Sequence, residues 1–273
     1  MFDPKSTKFP YPEDTSAHYI TIKKNNGLVF DENYPYIDTS KSFRFKQALV
    51  RLLLHTIVFP STHIKMGLHI KGKKNLKKHK ELLSLGAVCV SNHVHFWDYI
   101  AIMKALGPKR CHVLVWANNV RGESGTLVRL VGGIPIPEDD MNASIVFQNT
   151  VIDALKNHQF IQVYAEGSMW EYYAPIRPFK LGAAYFAINA NKPILPMAFS
   201  YRKPSWIRKH IFKEDAFLTL NIGEPLVMNN YLSREEQQID LTKRCHEAIC
   251  RLSSNINNIY EPIYNNSKII KYY

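Results

Sequence analysis

The chain of 273 residues has few cysteines and no long apolar run, and both absences narrow its possible functions. Its four cysteines form no C-x-x-C pair, so the sequence predicts neither a disulfide framework nor a zinc cluster. The N-terminus shows no apolar signal core. The longest apolar stretch, residues 47–60, is interrupted by Arg51 and His55 and is shorter than the roughly 20 apolar residues that span a bilayer. We therefore expect no conventional transmembrane helix and a cytoplasmic location.

Acidic residues are also scarce, with 23 against 35 basic ones, and the formal net charge is +12. Such a charge attracts polyanions, whether nucleic acid, an anionic membrane, or an acidic or phosphorylated partner. The basic residues are scattered and no recognised nucleic-acid-binding motif accompanies them, so nucleic acid is not an expected partner. The 12% of aromatic residues favour a membrane interface.

Two predicted elements precede the main domain. Residues 19–24 and 28–30 flank Asn26-Gly27, a pair typical of a β-hairpin turn. Residues 43–59 predict a helix that is apolar except for one narrow polar stripe. The stripe consists of Arg44, Gln47, Arg51 and His55. A helix this apolar needs cover. It is either a core helix or an in-plane membrane anchor whose cations face the headgroups.

From residue 66 onward, short apolar runs alternate with helical patterns. A strand is predicted at residues 68–76, overlapping a basic run that we expect to be solvated. The alternation predicts an α/β fold with a mixed, mainly parallel sheet flanked by helices. A late strand pair at 216–227 and a closing helix at 233–260 complete the pattern. We therefore divide the chain into an N-terminal appendage, 1–65, and an α/β domain, 66–273.

The sharpest local feature is the segment SNHVHFWDY, which directly follows a predicted strand. In α/β sheets, binding sites form beyond the carboxyl ends of strands. If His93 lies in a loop and Asp98 in the first turns of the next helix, the carboxylate can accept the proton of one ring nitrogen. The other nitrogen is then free to act as a general base toward a substrate hydroxyl.

Two other interpretations of this segment remain open. A histidine beside an aspartate often has no catalytic role. His93 and His95, at positions i and i+2 of an extended segment, can also ligate zinc. That arrangement resembles binuclear metallohydrolases, although Phe96 and Trp97 separate Asp98 from the position that those enzymes use.

A second polar segment, YAEGSMW, follows another predicted strand. It places the carboxylate of Glu166 beside Gly167, where the backbone can turn tightly. The segment lacks the second glycine of a G-x-S-x-G nucleophile elbow, so Ser168 is not a predicted nucleophile.

Together these motifs resemble those of the glycerolipid acyltransferases, which acylate glycerol 3-phosphate and lysophosphatidate. Four family motifs occur in the family's order within residues 68–227. They are N-H-x-x-x-x-D at residues 92–98, a glycine-rich motif at 132–137, E-G-T-R in part at 166–169 with P-F-K-x-G at 178–182, and P-I-x-P at 193–196.

The resemblance implies that His93 deprotonates the acceptor hydroxyl, that Asp98 orients His93, and that no acyl-enzyme forms. It also implies a set of substrate-binding residues: Asn92, Gly133, Glu166, Gly167, Ser168, Arg177 and Lys180. Backbone N–H groups of the Gly132-Gly133 turn are candidates for stabilising the oxyanion.

The implied partners are a thioester donor, a lipid acceptor and an anionic membrane surface. The donor is acyl-coenzyme A or acyl-carrier protein, used as a co-substrate, and no cofactor or metal is expected. Lysophosphatidate is the leading acceptor. We expect the protein to be attached peripherally to the inner membrane face.

Two family arginines that bind the acceptor phosphate are absent, since Pro137 and Glu138 occupy one region and Met169 the other. A phosphate favours bidentate cations. Four other cations are candidate replacements: Arg121, Arg129, Arg177 and Lys180. Alternatively, the acceptor has no phosphate group, as in a glycolipid, or is another lyso-lipid. A non-catalytic lipid-binding module that kept the fold is the alternative of a different class.

Overall fold

A computed structural model describes residues 4, 11–18, 26–138, 140–212 and 216–264. Its centre is a seven-stranded sheet in the order β1-β7-β6-β2-β5-β3-β4. The strands are β1 His69–Lys71, β2 Ala87–Val90, β3 Cys111–Trp116, β4 Gly133–Ile136, β5 Phe160–Val163, β6 Ile194–Arg202 and β7 Phe217–Ile222. All neighbours pair in parallel except β6 and β7. The predicted mixed, mainly parallel sheet is therefore confirmed.

Helices cover both faces of this sheet. They are α1 Lys41–Leu53, α2 Phe59–Lys65, α3 Lys73–Lys78, α4 Lys80–Ser84, α5 Asp98–Leu106, α6 Ala117–Arg121, α7 Gly125–Leu130, α8 Met141–Lys156, α9 Gly182–Ala190, α10 Trp206–Phe212 and α11 Arg234–Ser253. A π-helical turn, Leu54–Val58, joins α1 to α2. Asp140 caps α8, and Ser233 with Glu236 forms a capping box on α11.

The central strand β2 shows why the sheet needs cover on both sides. Its four residues are fully buried and alternate between two hydrophobic clusters. Val88 and Val90 pack with α8, α9 and α11, whereas Ala87 and Cys89 pack with α5. A continuous apolar run is what a strand buried on both faces requires.

The order of the strands also determines where a site can form. Strand β2 lies between β5 and β6, and all three are parallel, so their carboxyl ends meet at one edge of the sheet. The chain leaves β2 on one side and later returns to β6 on the other. Such a reversal opens a crevice at the carboxyl ends. The segments that follow β2 and β5 carry the predicted catalytic motifs.

The N-terminal helix is longer than predicted, and many of its large apolar side chains face outward, away from the domain. No residue of α1 is buried. Its outer stripe, which continues through the π-turn into α2, is 50–65% exposed and consists of Phe45, Leu49, Leu52, Leu53, Ile57 and Ile64. Gln47 and Arg51, from the predicted polar stripe, are half-buried against the domain. The core-helix interpretation does not fit α1, and the expectation that the cations face lipid headgroups stays a prediction.

Several strand predictions also need correction. The first predicted hairpin arm, 19–24, lies outside the described residues. The second, 28–30, is irregular because this segment bonds to α6, with the N–H of Asn26 donating to the Arg121 carbonyl at 3.1 Å. The late strand pair is a single strand, β7, followed by an isolated antiparallel bridge between Leu226 and Ile194.

The predicted strand at 68–76 is shorter than expected, because β1 ends at Lys71 and two short, solvated helices, α3 and α4, occupy most of the basic run. Gly72, which follows β1, adopts φ +81°, and an added Cβ there would collide with the Ile222 carbonyl. Among the described residues, no helix combines the length and the apolar character needed to cross a bilayer. The division of the chain at residue 65 stays a prediction.

Candidate active site

His93 and Asp98 meet at the carboxyl end of β2, as their spacing predicted. The Nδ1 atom of His93 lies 3.0 Å from Oδ2 of Asp98. The same oxygen accepts the backbone N–H groups of Val94 at 2.7 Å and His95 at 2.9 Å. Asp98 is the first residue of α5, so the loop folds back over its carboxylate. The three hydrogen bonds hold the loop and the imidazole in one arrangement.

The contact determines the tautomer of a neutral His93 ring. An ionised carboxylate can only accept, so in the neutral ring Nδ1 carries the hydrogen and Nε2 keeps its lone pair. Asp98 is completely buried, whereas the His93 side chain is 23% exposed. The ring therefore presents an unprotonated nitrogen toward open space, which is the arrangement of a general base.

Tyr164 fixes the plane of the imidazole. Its ring stacks on His93 with centroids 3.7 Å apart and planes 10° apart. Tyr164 directly follows β5, the strand beside β2. Burial, with a further contribution from the Asp98 carboxylate, raises the pKa of Tyr164 well above its usual range. The phenol is therefore neutral at physiological pH, and it acts on His93 as a packing surface.

Asn92 anchors the loop on its other side. Its Nδ2 donates to the Phe199 carbonyl at 3.1 Å, and its Oδ1 accepts the Phe199 N–H at 2.7 Å. Both amide groups are therefore used on β6. This placement gives Asn92 a structural role in place of the expected contact with substrate.

Glu166 and Arg177 form a buried ion pair behind the site. Glu166 Oε2 accepts the backbone N–H of His93 at 3.1 Å and Nη2 of Arg177 at 3.2 Å, and its Oε1 accepts the Arg177 N–H at 3.0 Å. Both side chains are at most 2% exposed. Arg177 also lies 4.3 Å from the ring of Trp170. The pair ties the segment after β5 to the His93 loop, so neither residue is placed to bind an acceptor phosphate.

A large cavity opens in front of His93, with a volume of about 870 Å³. Its deeper wall is apolar and includes Leu114, Ile136, Phe147, Val163 and Phe186. Its polar side includes His18, Glu138, Ser168 and Lys180. The cavity thus joins an apolar compartment, a general base and a polar region.

The cavity separates the nine predicted site residues into two groups. Those that line it are His93, Gly167, Ser168 and Lys180. Those that lie behind its wall or elsewhere are Asn92, Asp98, Gly133, Glu166 and Arg177. The first group can touch a substrate, and most of the second supports the first.

Gly133 is the predicted site residue that the structure most clearly places away from His93. It is the first residue of β4, which runs parallel to β3 and hence to β5 and β2. The beginning of β4 therefore lies at the edge of the sheet opposite to His93. The expected oxyanion role of the Gly132-Gly133 turn does not fit this position.

Two of the four candidate phosphate-binding cations are also engaged elsewhere. Arg121 pairs with Glu138 at 3.0 Å and donates to the Leu28 carbonyl. Arg129 donates to the carbonyls of Tyr36 and Gly133. With Arg177 buried, Lys180 remains as the candidate that lines the cavity. Burial lowers the pKa of the Lys180 ammonium.

His95 does not join His93 in a metal site. Its Nδ1 accepts the N–H of Trp97 at 3.1 Å, and its ring packs on Tyr172. The part of the chain that the structure describes contains no group of three His, Cys, Asp or Glu side chains with metal-binding geometry.

Several cavity residues were not predicted. His18, Phe96, Trp116 and Tyr164 all line the cavity. Tyr164 is next to the Glu166 motif at a strand end, so its position was available as a signal. His18 comes from a segment without any recognisable pattern, and only the three-dimensional fold places it.

We predict that Arg177→Met lowers the free energy of unfolding by about 3–5 kcal/mol, because it leaves the Glu166 carboxylate buried without a cation. Urea denaturation measures this change. Unaltered stability combined with weaker acceptor binding would instead support the sequence-based expectation that Arg177 contacts the substrate.

Comparisons with known proteins bear on the family of the central part of the chain. Residues 67–200 match the acyltransferase family. Human 1-acyl-sn-glycerol-3-phosphate acyltransferase beta is 24% identical over 164 residues, which cover 59% of this chain and 58% of that protein. The crystal structure of the 1-acyl-sn-glycerophosphate acyltransferase PlsC from Thermotoga maritima has a similar fold, with a TM-score of 0.50 and 16% identity over 83% of this chain and 86% of that one. Residues 67–200 therefore form an acyltransferase-family domain that is similar to glycerolipid acyltransferases.

Proposed function

We propose that this acyltransferase moves a fatty acyl group from a thioester to the hydroxyl of lysophosphatidate. The observation that carries the proposal is the His93–Asp98 pair at the wall of a large, mainly apolar cavity. A base with a free Nε2 suits deprotonation of a hydroxyl, and an apolar compartment suits a fatty chain. Its volume of about 870 Å³ is within the usual size of small-molecule sites.

The reaction needs one base and no covalent intermediate on the protein. Nε2 of His93 takes the proton of the acceptor hydroxyl while the oxygen attacks the thioester carbonyl. The tetrahedral intermediate then collapses, the C–S bond breaks, and the imidazolium returns its proton to the departing thiolate. Asp98 stabilises the imidazolium between these steps. All four cysteines are buried, and among the described residues no serine hydrogen-bonds to the His93 ring.

The choice of lysophosphatidate rests on the activity for which the human relative is named and on Lys180. Lys180 is the one cation among the four candidates that lines the cavity. A second acceptor class, a glycolipid or another lyso-lipid, is favoured by one observation: Met169, which also lines the cavity, stands where the family has a phosphate-binding arginine.

The donor is acyl-coenzyme A or acyl-carrier protein. Both are anionic, and the net charge of +12 would draw either one toward the protein.

We predict that His93→Ala slows acyl transfer by about 100-fold or more, since a general base contributes at least that much. The assay offers a long-chain thioester with lysophosphatidate, a monoacyl glycolipid and lysophosphatidylcholine as acceptors. Mass spectrometry identifies the product.

If wild type and His93→Ala are equally stable in urea, the loss of activity results from the missing base and not from unfolding. Transfer at the wild-type rate by His93→Ala would remove His93 from the mechanism. Wild-type protein that binds liposomes yet acylates no acceptor would favour the non-catalytic lipid-binding module.

We also propose that the protein lies peripherally on an anionic membrane, at its inner face. The support is the helical segment α1–α2, which turns six large apolar side chains outward and keeps Gln47 and Arg51 half-buried. A helix with an apolar outer stripe is expected to lie in the membrane plane with that stripe among the acyl chains.

Helix α10 offers a second apolar surface at the same edge as the site. Trp206, Ile207 and Ile211 are 61–74% exposed. The helix begins four residues after β6, whose carboxyl end lies beside that of β2. Arg202 at the end of β6 donates to the Gly67 carbonyl, just after α2. Contact by α2 and α10 together would turn the site edge toward the lipid.

We predict that Leu52→Glu combined with Ile57→Glu weakens binding to anionic liposomes by about tenfold or more, since burying each such side chain contributes about 1.5–3 kcal/mol. Cosedimentation measures the binding. Leu85→Glu is the matched control, because Leu85 is an exposed leucine before β2, at the opposite edge. Equal binding by both variants would contradict this orientation.

A further inference from the structure

Residues 11–18 lie outside the region that matches the acyltransferase family, yet one of them, His18, forms part of the cavity wall. The hydroxyl of Tyr11 donates to the Glu171 carbonyl at 2.6 Å, and its ring stacks on Trp170 at 5.6 Å. The hydroxyl of Tyr264, from the other end of the described chain, donates to the Thr15 carbonyl at 2.9 Å. The segment is therefore held at its beginning and in its middle.

Backbone carbonyls of this segment satisfy the polar groups of the family's third motif. The Thr15 carbonyl accepts Nη1 of Arg177 at 2.8 Å. The Ala17 carbonyl accepts Oγ of Ser168 at 2.9 Å and Nε1 of Trp170 at 3.1 Å. Nη1 of Arg177 and Oγ of Ser168 could otherwise donate to a substrate phosphate. Here both donate to backbone carbonyls of the protein.

The next residue, His18, is consequently placed in the cavity. Its ring stacks on Trp116, with centroids 4.0 Å apart and planes 20° apart. It lines the cavity together with Lys180. Burial lowers the pKa of His18, so the ring is neutral and can donate one N–H to a ligand in the cavity.

Lys180 lies on the other side of the same polar region. It follows the third motif, and its side chain passes over Gly167, where an added Cβ would meet Cε at 3.0 Å. The ammonium makes no ion pair within 4.0 Å with any described residue. Glycine at position 167 therefore leaves room for this cation beside the cavity.

The other charges near these two groups are largely neutralised. Glu138 is paired with Arg121 and accepts Nε1 of Trp116 at 2.7 Å. Arg177 is paired with Glu166. Asp14 acts on Lys180 from the exposed side, and its carboxylate accepts the N–H and Oγ of Ser16 at 2.8 Å.

We propose that His18 and Lys180 form the anion subsite that binds the acceptor phosphate in place of the missing motif arginines. The proposal rests on the proposed acyl transfer and adds the residues that would recognise a phosphomonoester. One of them comes from the N-terminal segment, outside the family domain. The subsite lies in the cavity that His93 faces, so a bound phosphate would hold the acceptor hydroxyl within reach of the base.

The test measures binding separately from turnover, in the full-length His93→Ala protein. Isothermal titration gives the Kd of a short-chain lysophosphatidate and of the monoacylglycerol of the same chain length. His18→Gln and Lys180→Gln should each weaken lysophosphatidate binding about tenfold or more, as expected for a lost charge-assisted hydrogen bond. Binding of the monoacylglycerol should change by less than about twofold, because it lacks the anion that these residues bind.

Two variants serve as matched controls. His158→Asn and Lys156→Gln remove exposed residues of the same types near the beginning of β5, at the opposite edge of the sheet. Both should bind the two ligands like the parent protein. The two test positions lie on separate segments, so misfolding of one variant leaves the other informative.

Equal weakening for both ligands would show that His18 and Lys180 only shape the wall, and it would overturn the proposal. Unchanged lysophosphatidate binding, or a parent protein that does not prefer lysophosphatidate, would overturn it as well. In either case, thioester-dependent acylation by wild type that is lost in His93→Ala would leave the proposed function standing. Acylation that survives in His93→Ala would refute the mechanism without affecting the binding result.

Discussion

One buried carboxylate organises the site. Asp98 is fully buried, and one of its oxygens accepts two backbone N–H groups and Nδ1 of His93. A buried charge is costly unless donors compensate it, and here the donors to Oδ2 come from the loop itself. The hydrogen bonds that stabilise this buried carboxylate therefore also orient the imidazole toward the cavity. Glu166, which follows the neighbouring strand, is a second buried carboxylate that holds the same loop, because it accepts the backbone N–H of His93.

The fold and the central pair could be predicted from sequence because both follow from local patterns. Continuous apolar runs between helical stretches indicated a parallel sheet, and a histidine in a strand-end loop five residues before an aspartate indicated their contact. The role of Arg177 could not be read in this way. Its partners, Glu166 and the Thr15 carbonyl, come from different segments, and only the folded chain shows that they consume its hydrogen bonds.

The errors have equally specific causes. Gly133 matched a family motif, but it begins a strand instead of ending one, and in a parallel sheet that places it at the wrong edge. The helix at residues 43–59 had a clear polar stripe, yet periodicity does not reveal which face meets the protein. The structure turns Gln47 and Arg51 toward the domain and leaves the apolar stripe outside. The proposed membrane orientation would bring the exposed apolar stripe, the apolar cavity and the site edge of the sheet to the lipid.

The proposed mechanism depends most directly on which ring nitrogen of His93 carries the hydrogen. Nitrogen chemical shifts of its neutral imidazole, measured by NMR in wild type and in Asp98→Asn, report which ring nitrogen carries the hydrogen. We expect the Nδ1–H form in wild type and a mixture in the variant, because an amide can donate as well as accept. An Nε2–H form in wild type, or identical spectra for the two proteins, would contradict the claim that Asp98 holds the base ready.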